Sequence, residues 1–259
     1  MTDVALLSVL QGVAEFLPIS SSGHLVLGKG LLGLGEAGIR LDVFLHVGTL
    51  VAVFAFYWAT VWRLLRGCLR FDGEAWAYAG KLVLSAVPAG VVGILCKDAL
   101  ESAFASPRAV GFALMFTGVV LTATRFLPKG RSDISWWKAL AMGVAQAVAI
   151  LPGVSRSGMT LAAARATKVE AAASAEFSFL MSAPPIAGAA LLEIVKASEV
   201  AADAATSEVG WGACVFGAAI AAVVGYFSLK LLVRSLKGRW FWLFGPYCLA
   251  AGLLTVLLV

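Results

Sequence analysis

Long apolar runs alternate with short polar interruptions along the chain. Runs of the length needed to cross a bilayer, roughly 17–25 residues, fall at about 41–61, 78–97 and 109–127, and again at about 174–195, 209–231 and 240–259. Each is read as a transmembrane helix. Two further apolar stretches, about 4–32 and 136–163, are broken by proline and by serine–glycine clusters. They read as helix–loop–helix re-entrant hairpins, because backbone released from helix at membrane depth persists only where protein or a wet cavity satisfies its polar groups.

The two interruptions are copies of one another. Gln11-Gly12-Val13-Ala14-Glu15-Phe16-Leu17-Pro18-Ile19-Ser20-Ser21-Ser22-Gly23 aligns without gaps on Gln146-Ala147-Val148-Ala149-Ile150-Leu151-Pro152-Gly153-Val154-Ser155-Arg156-Ser157-Gly158 at an offset of 135 residues. The same offset places Phe44-Leu45 on Phe179-Leu180. Valine and alanine matches carry little weight in so apolar a chain; Gln and Ser-x-Ser-Gly at one offset carry more. The reading is a single membrane domain of two repeat halves, 1–130 and 131–259. Paired, Pro/Gly-interrupted segments in corresponding halves point to a site at the repeat interface near the bilayer midplane.

Composition agrees. The chain is 61% hydrophobic and 14% charged, with mean hydropathy +0.92, against about 25% charged residues in an ordinary soluble domain. The beginning, Met1-Thr2-Asp3, lacks the basic region of a secretory signal, so no cleaved peptide is expected. The net charge of +5 reports loop topology rather than nucleic-acid binding. Arg63, Arg66 and Arg70 follow the first span, and Lys129, Arg131 and Lys138 the third. Arg165 and Lys168 precede the fourth, and Lys230, Arg234, Lys237 and Arg239 lie between the fifth and sixth. All fall on one face, cytoplasmic by the positive-inside rule, if each hairpin re-enters rather than crosses. Segment 196–208, with Glu199, Asp203 and Glu208 against Lys196, then falls outside, as do both termini. One hairpin plus three spans per half makes the halves inverted, with one hairpin entering from each side. The expected fold is therefore all-α, an inverted-topology repeat. Cys68, Cys96, Cys214 and Cys248 show no metal spacing and read as packing residues.

Gln11 and Glu15 stand four apart, on one face of a helix. Together they offer three oxygens to a divalent cation, Mg²⁺ or Ca²⁺; alternatively Glu15 orients or deprotonates a nucleophile. Ser20, Ser21 and Ser22 before Gly23 form a turn of hydroxyls and N–H groups suited to an anion. His24 suits a base, a nucleophile or a donor. His46, four residues after Asp42, is either a site-supporting pair or a buried polar one. Arg156 costs roughly 2.5–3.5 kcal/mol at membrane depth. It reads either as a salt-bridge partner of Glu15 or as a guanidinium fork on phosphate oxygens, with Ser155, Ser157 and Thr160 as added donors. Glu176 reads equally as a helix-end or a site residue.

Glu15-Phe16-Leu17-Pro18-Ile19-Ser20-Ser21-Ser22-Gly23-His24, preceded by Gln11, resembles the first signature of the undecaprenyl-pyrophosphate phosphatase (BacA) family. Pro152-Gly153-Val154-Ser155-Arg156-Ser157-Gly158-Met159-Thr160 resembles its second, and Glu176-Phe177-Ser178-Phe179 is also similar to the family pattern. The resemblance covers essentially the whole chain. It implies a bacterial plasma-membrane enzyme, with its active site facing outward, that removes the terminal phosphate of the C55 carrier pyrophosphate, recycles the carrier for peptidoglycan synthesis and confers bacitracin resistance. It also implies a divalent-cation requirement. Catalytic roles carry over to Glu15, Ser21, His24 and Arg156. Gln11 departs from the Glu of many members, and Ser22 from their Thr. One carboxylate fewer weakens metal binding or shifts the burden onto Glu15 and the substrate's phosphates. The expected partners are the polyprenyl pyrophosphate substrate, membrane lipids and, in a homodimer, a second copy of the chain; no nucleic acid is expected. Either Ser21 or His24 is the nucleophile, and either Glu15 or His24 handles the proton. A second function class stays open, a secondary transporter or lipid-phosphate flippase, since inverted repeats with broken midplane helices serve transport. Clustered nucleophile, acid, His and Arg favour the enzyme.

Overall fold

The computed structural model describes residues 1–32, 39–188 and 209–258; the acidic segment 196–208 lies outside the described residues. Among these the protein is all-helical, with one isolated bridge between Ser132 and Val169. In chain order the helices are α1 (Thr2–Ala14), α2 (Ser21–Leu32), α3 (Ile39–Phe56), α4 (Trp58–Leu69), α5 (Gly73–Leu95), α6 (Lys97–Phe104) and α7 (Pro107–Ala123), followed by α8 (Trp136–Val148), α9 (Arg156–Ala166), α10 (Ala171–Leu180), α11 (helical over 183–188), α12 (Trp211–Gly238) and α13 (Phe244–Leu258).

Among the described residues four helices are long and apolar enough to cross a membrane: Gly73–Leu95, Pro107–Phe126, Trp211–Gly238 and Phe241–Leu258. They match the spans expected at 78–97, 109–127, 209–231 and 240–259. The other two expected spans are not single straight helices. The run 41–61 breaks at Tyr57 (φ −101°, ψ 24°), where α3 and α4 meet at a 79° bend. Beyond the bend α4 is amphipathic, with Trp58 stacked on Trp62 and the Arg66 guanidinium over the Trp62 ring, a pattern suited to lying in a membrane interface. The run 174–195 stops at Leu180, turns at Met181-Ser182 and resumes as α11. Pro184 and Pro185 explain the stop: each lacks an N–H for the preceding turn and disfavours helix in the residue before it.

Both polar interruptions are helix–break–helix units. α2 and α9 start at Ser21 and Arg156, the residues that the 135-residue offset superimposes. In the first break Ser20 takes φ +70°; in the second Gly153 takes φ +93°. A Cβ on Gly153 would stand 2.4 Å from the Val110 carbonyl oxygen, so only glycine fits both the angle and the space. The breaks touch: a Cβ on Gly23 would lie 3.1 Å from Gly153 Cα.

Close backbone approach organises the rest. Gly111 and Gly118 of α7 face the carbonyls of Gly252 and Gly245 of α13, so this pair runs antiparallel with almost no side chain between the backbones. α1 lies along α12, with Gly12 against Ala221 and Val224, and α8 lies along α5, with Gly143 against Ser85. The buried core joins residues from both halves, including Phe16, Leu121, Leu161, Phe179, Leu229 and Phe241. Phe16 meets Phe179 edge-on at 5.4 Å. Outside, α5 presents Val83, Val87, Val91, Ile94 and Leu95, an apolar surface suited to lipid. The four cysteines are unbridged. Cys214 and Cys248 are buried as expected for packing residues, but Cys96, at the C-terminal end of α5, is exposed.

Candidate active site

Glu15 is the centre. It follows the last residue of α1 while still in helical geometry, so its side chain falls on the same face as Gln11, and the Gln11 amide donates to Glu15 Oε2 at 3.1 Å. The Glu15 side chain is only 6% exposed. Two further donors, Arg156 and Ser21, meet its charge. Arg156 Nη2 donates to Oε1 at 2.5 Å. The Ser21 hydroxyl donates to Oε2 at 2.6 Å, and His46 Nε2 stands 3.7 Å from the same oxygen. Breaking a buried ion pair from one side costs about 3–5 kcal/mol, so Glu15 and Arg156 hold each other at depth.

The two serine turns bring them together. Ser21 and Arg156 occupy equivalent first positions of α2 and α9, and the contact between the two breaks brings both onto one carboxylate. The flanking serines repeat as well: Ser20 and Ser22 hydroxyls lie 3.3 Å apart, as do those of Ser155 and Ser157. Ser20 Oγ accepts the Gly23 N–H, and Ser155 Oγ the Gly158 N–H, so one serine of each turn caps its helix. Thr117 on α7 fastens the second break, donating to the Gly153 carbonyl at 3.1 Å and accepting the Ser155 N–H at 3.0 Å.

A cavity of 210 Å³ opens over this cluster, and its walls include Glu15, Ser21, Ser22, Ser155, Arg156 and His46. Arg156 Nη1 is buried without a hydrogen-bond partner. One arm of the fork thus holds Glu15 while the other is unengaged. Other expected site residues stand back from the walls. Ser157 donates to the Leu17 carbonyl at 3.5 Å, a stitch between the two halves. The Thr160 hydroxyl bonds the Arg156 carbonyl at 2.8 Å and Ser178 Oγ at 2.6 Å, bracing α9 against α10. His24 Nδ1 lies 2.9 Å from the Ser20 carbonyl and Nε2 lies 2.8 Å from the Tyr247 hydroxyl, with the two rings stacked. A carbonyl only accepts, so in neutral His24 the proton sits on Nδ1 and Tyr247 donates to Nε2.

Tyr247 carries no motif and was not foreseen; an α13 tyrosine among apolar residues looks like a membrane-belt residue. His46 lines the cavity: its Nδ1 donates to the Asp42 carbonyl at 2.8 Å, and its Nε2 lies 3.7 Å from Glu15 Oε2. The Asp42 carboxylate pairs with Lys29 instead. Glu176 lies apart from the cavity, accepting from Thr60 at 2.8 Å and from Tyr78 at 3.4 Å.

Among the described residues no three His, Cys, Asp or Glu side chains gather as a metal cluster. Gln11 Oε1 is nevertheless a buried oxygen without a partner, on the amide whose nitrogen donates to Glu15 Oε2. Glu15 and, with its amide turned over, Gln11 would offer only two or three oxygens, so a divalent cation held there would complete its shell with substrate phosphate oxygens and water, the usual habit of Mg²⁺.

Fold and site together define a multi-pass helical membrane protein with a buried carboxylate, hydroxyl and guanidinium converging on one small polar cavity. Residues 4–254 match the model of the family described as bacitracin resistance protein BacA, and the chain belongs to that family. Its relatives include proteins named undecaprenyl-diphosphatase. That of Pelotomaculum thermopropionicum is 41% identical over 97% of this chain and 94% of its own. That of Rhodopirellula baltica is 40% identical, and that of Halothermothrix orenii 38%, each over 98% of this chain and 96% of its own.

Proposed function

We propose that this protein hydrolyses undecaprenyl pyrophosphate to undecaprenyl phosphate and inorganic phosphate, the carrier-recycling step that underlies bacitracin resistance. The observation that carries the reading beyond the family is the Ser21–Glu15–Arg156 chain of hydrogen bonds along one cavity. A hydroxyl 2.6 Å from a carboxylate has its base in place. A guanidinium with one buried, unpartnered nitrogen has a vacancy for a phosphate oxygen.

In this mechanism the pyrophosphate enters beside Ser22 and Ser155, and Arg156 takes its distal phosphate through Nη1. Ser21 Oγ attacks the distal phosphorus while its proton passes to Glu15. The bond from that phosphorus to the bridging oxygen breaks, and undecaprenyl phosphate leaves. Water then displaces inorganic phosphate from the serine, returning the hydroxyl. A divalent cation held by Gln11 and Glu15 together with phosphate oxygens would neutralise charge on the transferring group. His24, with both nitrogens engaged, supports the Ser20 turn rather than attacking, and Tyr247 positions it. Charge neutralisation and alignment supply most of the rate in such transfers.

The architecture we propose is an inverted repeat with the broken pairs as re-entrant hairpins. Support comes from α7 and α13, equivalent helices of the two halves that pack antiparallel, as inversion requires. The basic face is cytoplasmic in this reading, and the site opens to the outer side of the inner membrane. Acid quenching of the purified protein during turnover of substrate labelled at the distal phosphate tests the chemistry. Label on Ser21, absent in Ser21→Ala, is expected; a Ser21→Ala variant with wild-type turnover overturns the assignment.

A further inference from the structure

A second cavity, also of 210 Å³, lies away from the Glu15 cluster, where the 127–132 linker, the α9–α10 turn and the end of α12 converge. Its lining includes Lys129, Arg165 and Lys237 against a single carboxylate, Glu170, with the Ser174 side chain and the Gly130 backbone between them. The carboxylate is already engaged: Glu170 accepts the N–H groups of Ala172 and Ala173 at 2.8 and 2.9 Å as the cap of α10. No ion pair among the described residues neutralises any of the three cations. Arg165 Nε is buried without a partner, and its one bond is a long 3.4 Å contact to the Leu127 carbonyl. Burial acts against its charge, and so does Arg239, of the same sign.

The positive-inside rule explains why cations face this side, but not why three from distant segments converge on a cavity with a fixed wall. That wall is built. Arg131 and Ser132 N–H both donate to the Lys168 carbonyl, at 3.1 and 3.2 Å, and Glu170 N–H donates to the Ser132 carbonyl at 3.0 Å. A Cβ on Gly130 would overlap the Val169 carbonyl, so the linker lies flat on the turn. A neighbouring cleft extends the basic lining through Arg131, Lys138 and Lys168. Leu161 and Leu236 leave an apolar flank beside the charges. A compact anion with a hydrocarbon neighbour suits such a pocket, as basic recesses between transmembrane helices suit lipid head groups.

We infer that this cavity is a second anion site, for a phosphate group, separate from the one in which Ser21 and Arg156 meet. The phosphate comes either from an anionic phospholipid head group or from free inorganic phosphate. The full chain in phosphatidylcholine nanodiscs, titrated calorimetrically with short-chain phosphatidylglycerol and with inorganic phosphate, decides. Saturable binding is expected. Arg165→Gln and Lys237→Gln should each weaken it by about tenfold, the cost of one lost charge-assisted bond. A binding event lost in Arg156→Lys belongs to the other cavity; the event weakened by Arg165→Gln should persist in that variant, and Arg70→Gln, an exposed cation of the same charge class outside the pocket, should alter neither. Tighter binding of phosphatidylglycerol than of phosphate assigns a lipid head group; the reverse assigns the free ion. No saturable binding of either, or equal losses in Arg70→Gln and Arg165→Gln, overturns the site. Lys237→Gln guards against misfolding as the cause, since it removes no bond within the protein.

Discussion

Replacing Arg156 by lysine separates the two duties of the guanidinium. In the protein Nη2 holds Glu15 at 2.5 Å and Nη1 is buried without a partner. A lysine ammonium keeps the charge but is a single point; it serves Glu15 or the phosphate, not both with the same geometry. Because the ion pair with Glu15 can survive, the fold should survive with it, whereas Arg156→Met would leave a buried carboxylate alone at a cost of about 3–5 kcal/mol. One charge-assisted hydrogen bond is worth about 1.5–3 kcal/mol. Lost from the transition state, that is roughly a 10- to 150-fold fall in kcat/KM. The assay is steady-state phosphate release from lipid pyrophosphate in detergent, beside a thermal melt of the same preparation. Arg156→Lys should lose activity with little change in Tm, and Arg156→Met should lose both. Wild-type kcat/KM in Arg156→Lys would refute the two-armed role.

Gln11→Glu should tighten apparent divalent-cation affinity if Gln11 Oε1 helps hold the ion, whereas Glu15→Gln should nearly abolish turnover; an unchanged metal titration in Gln11→Glu would remove Gln11 from the ligand set. Tyr247→Phe deletes one hydrogen bond to His24, worth about 0.5–1.5 kcal/mol, so kcat should fall roughly 2- to 10-fold with KM unchanged; unaltered kinetics would show that His24 needs no such partner. Gly153→Ala meets both a φ of +93° and the Val110 carbonyl; expected are a lower Tm and collapse of activity together, and a variant with wild-type Tm and rate would contradict the account of the second break.

Much of this was readable from the chain because its strongest signals are local. Span lengths located four helices, two of them to within two residues at each end and the other two to within seven, and the Ser-x-Ser-Gly repeat located both breaks and the equivalence of Ser21 with Arg156. Of the two readings of Arg156, salt-bridge partner of Glu15 or fork on phosphate, the first describes the bond now seen across 141 positions. Lys129, Lys168 and Lys237, from three of the four basic clusters expected on one face, line adjoining cavities. What stayed hidden depends on tertiary contact or on competition for a hydroxyl. Thr160 was expected to bind phosphate, but inside a helix its hydroxyl finds the carbonyl four residues back. Tyr57 gave no breaker signal in an apolar run, so the bend after α3 went unseen. Tyr247 reaches His24 only because α13 packs beside the first break, where Cys248 Sγ lies 3.4 Å from the Pro18 carbonyl; nothing in its own neighbourhood marks it.

The central claim is that residues from the two breaks make one hydrolytic site for a lipid pyrophosphate. Product analysis tests it most directly: purified protein, undecaprenyl pyrophosphate and a divalent cation, with lipid and phosphate products separated over time. The account predicts one inorganic phosphate for each undecaprenyl phosphate formed, and loss of both products in Ser21→Ala and in Glu15→Gln, although Arg156 stands intact in each. Release of pyrophosphate with free prenol, or undiminished phosphate release from either variant, would contradict it.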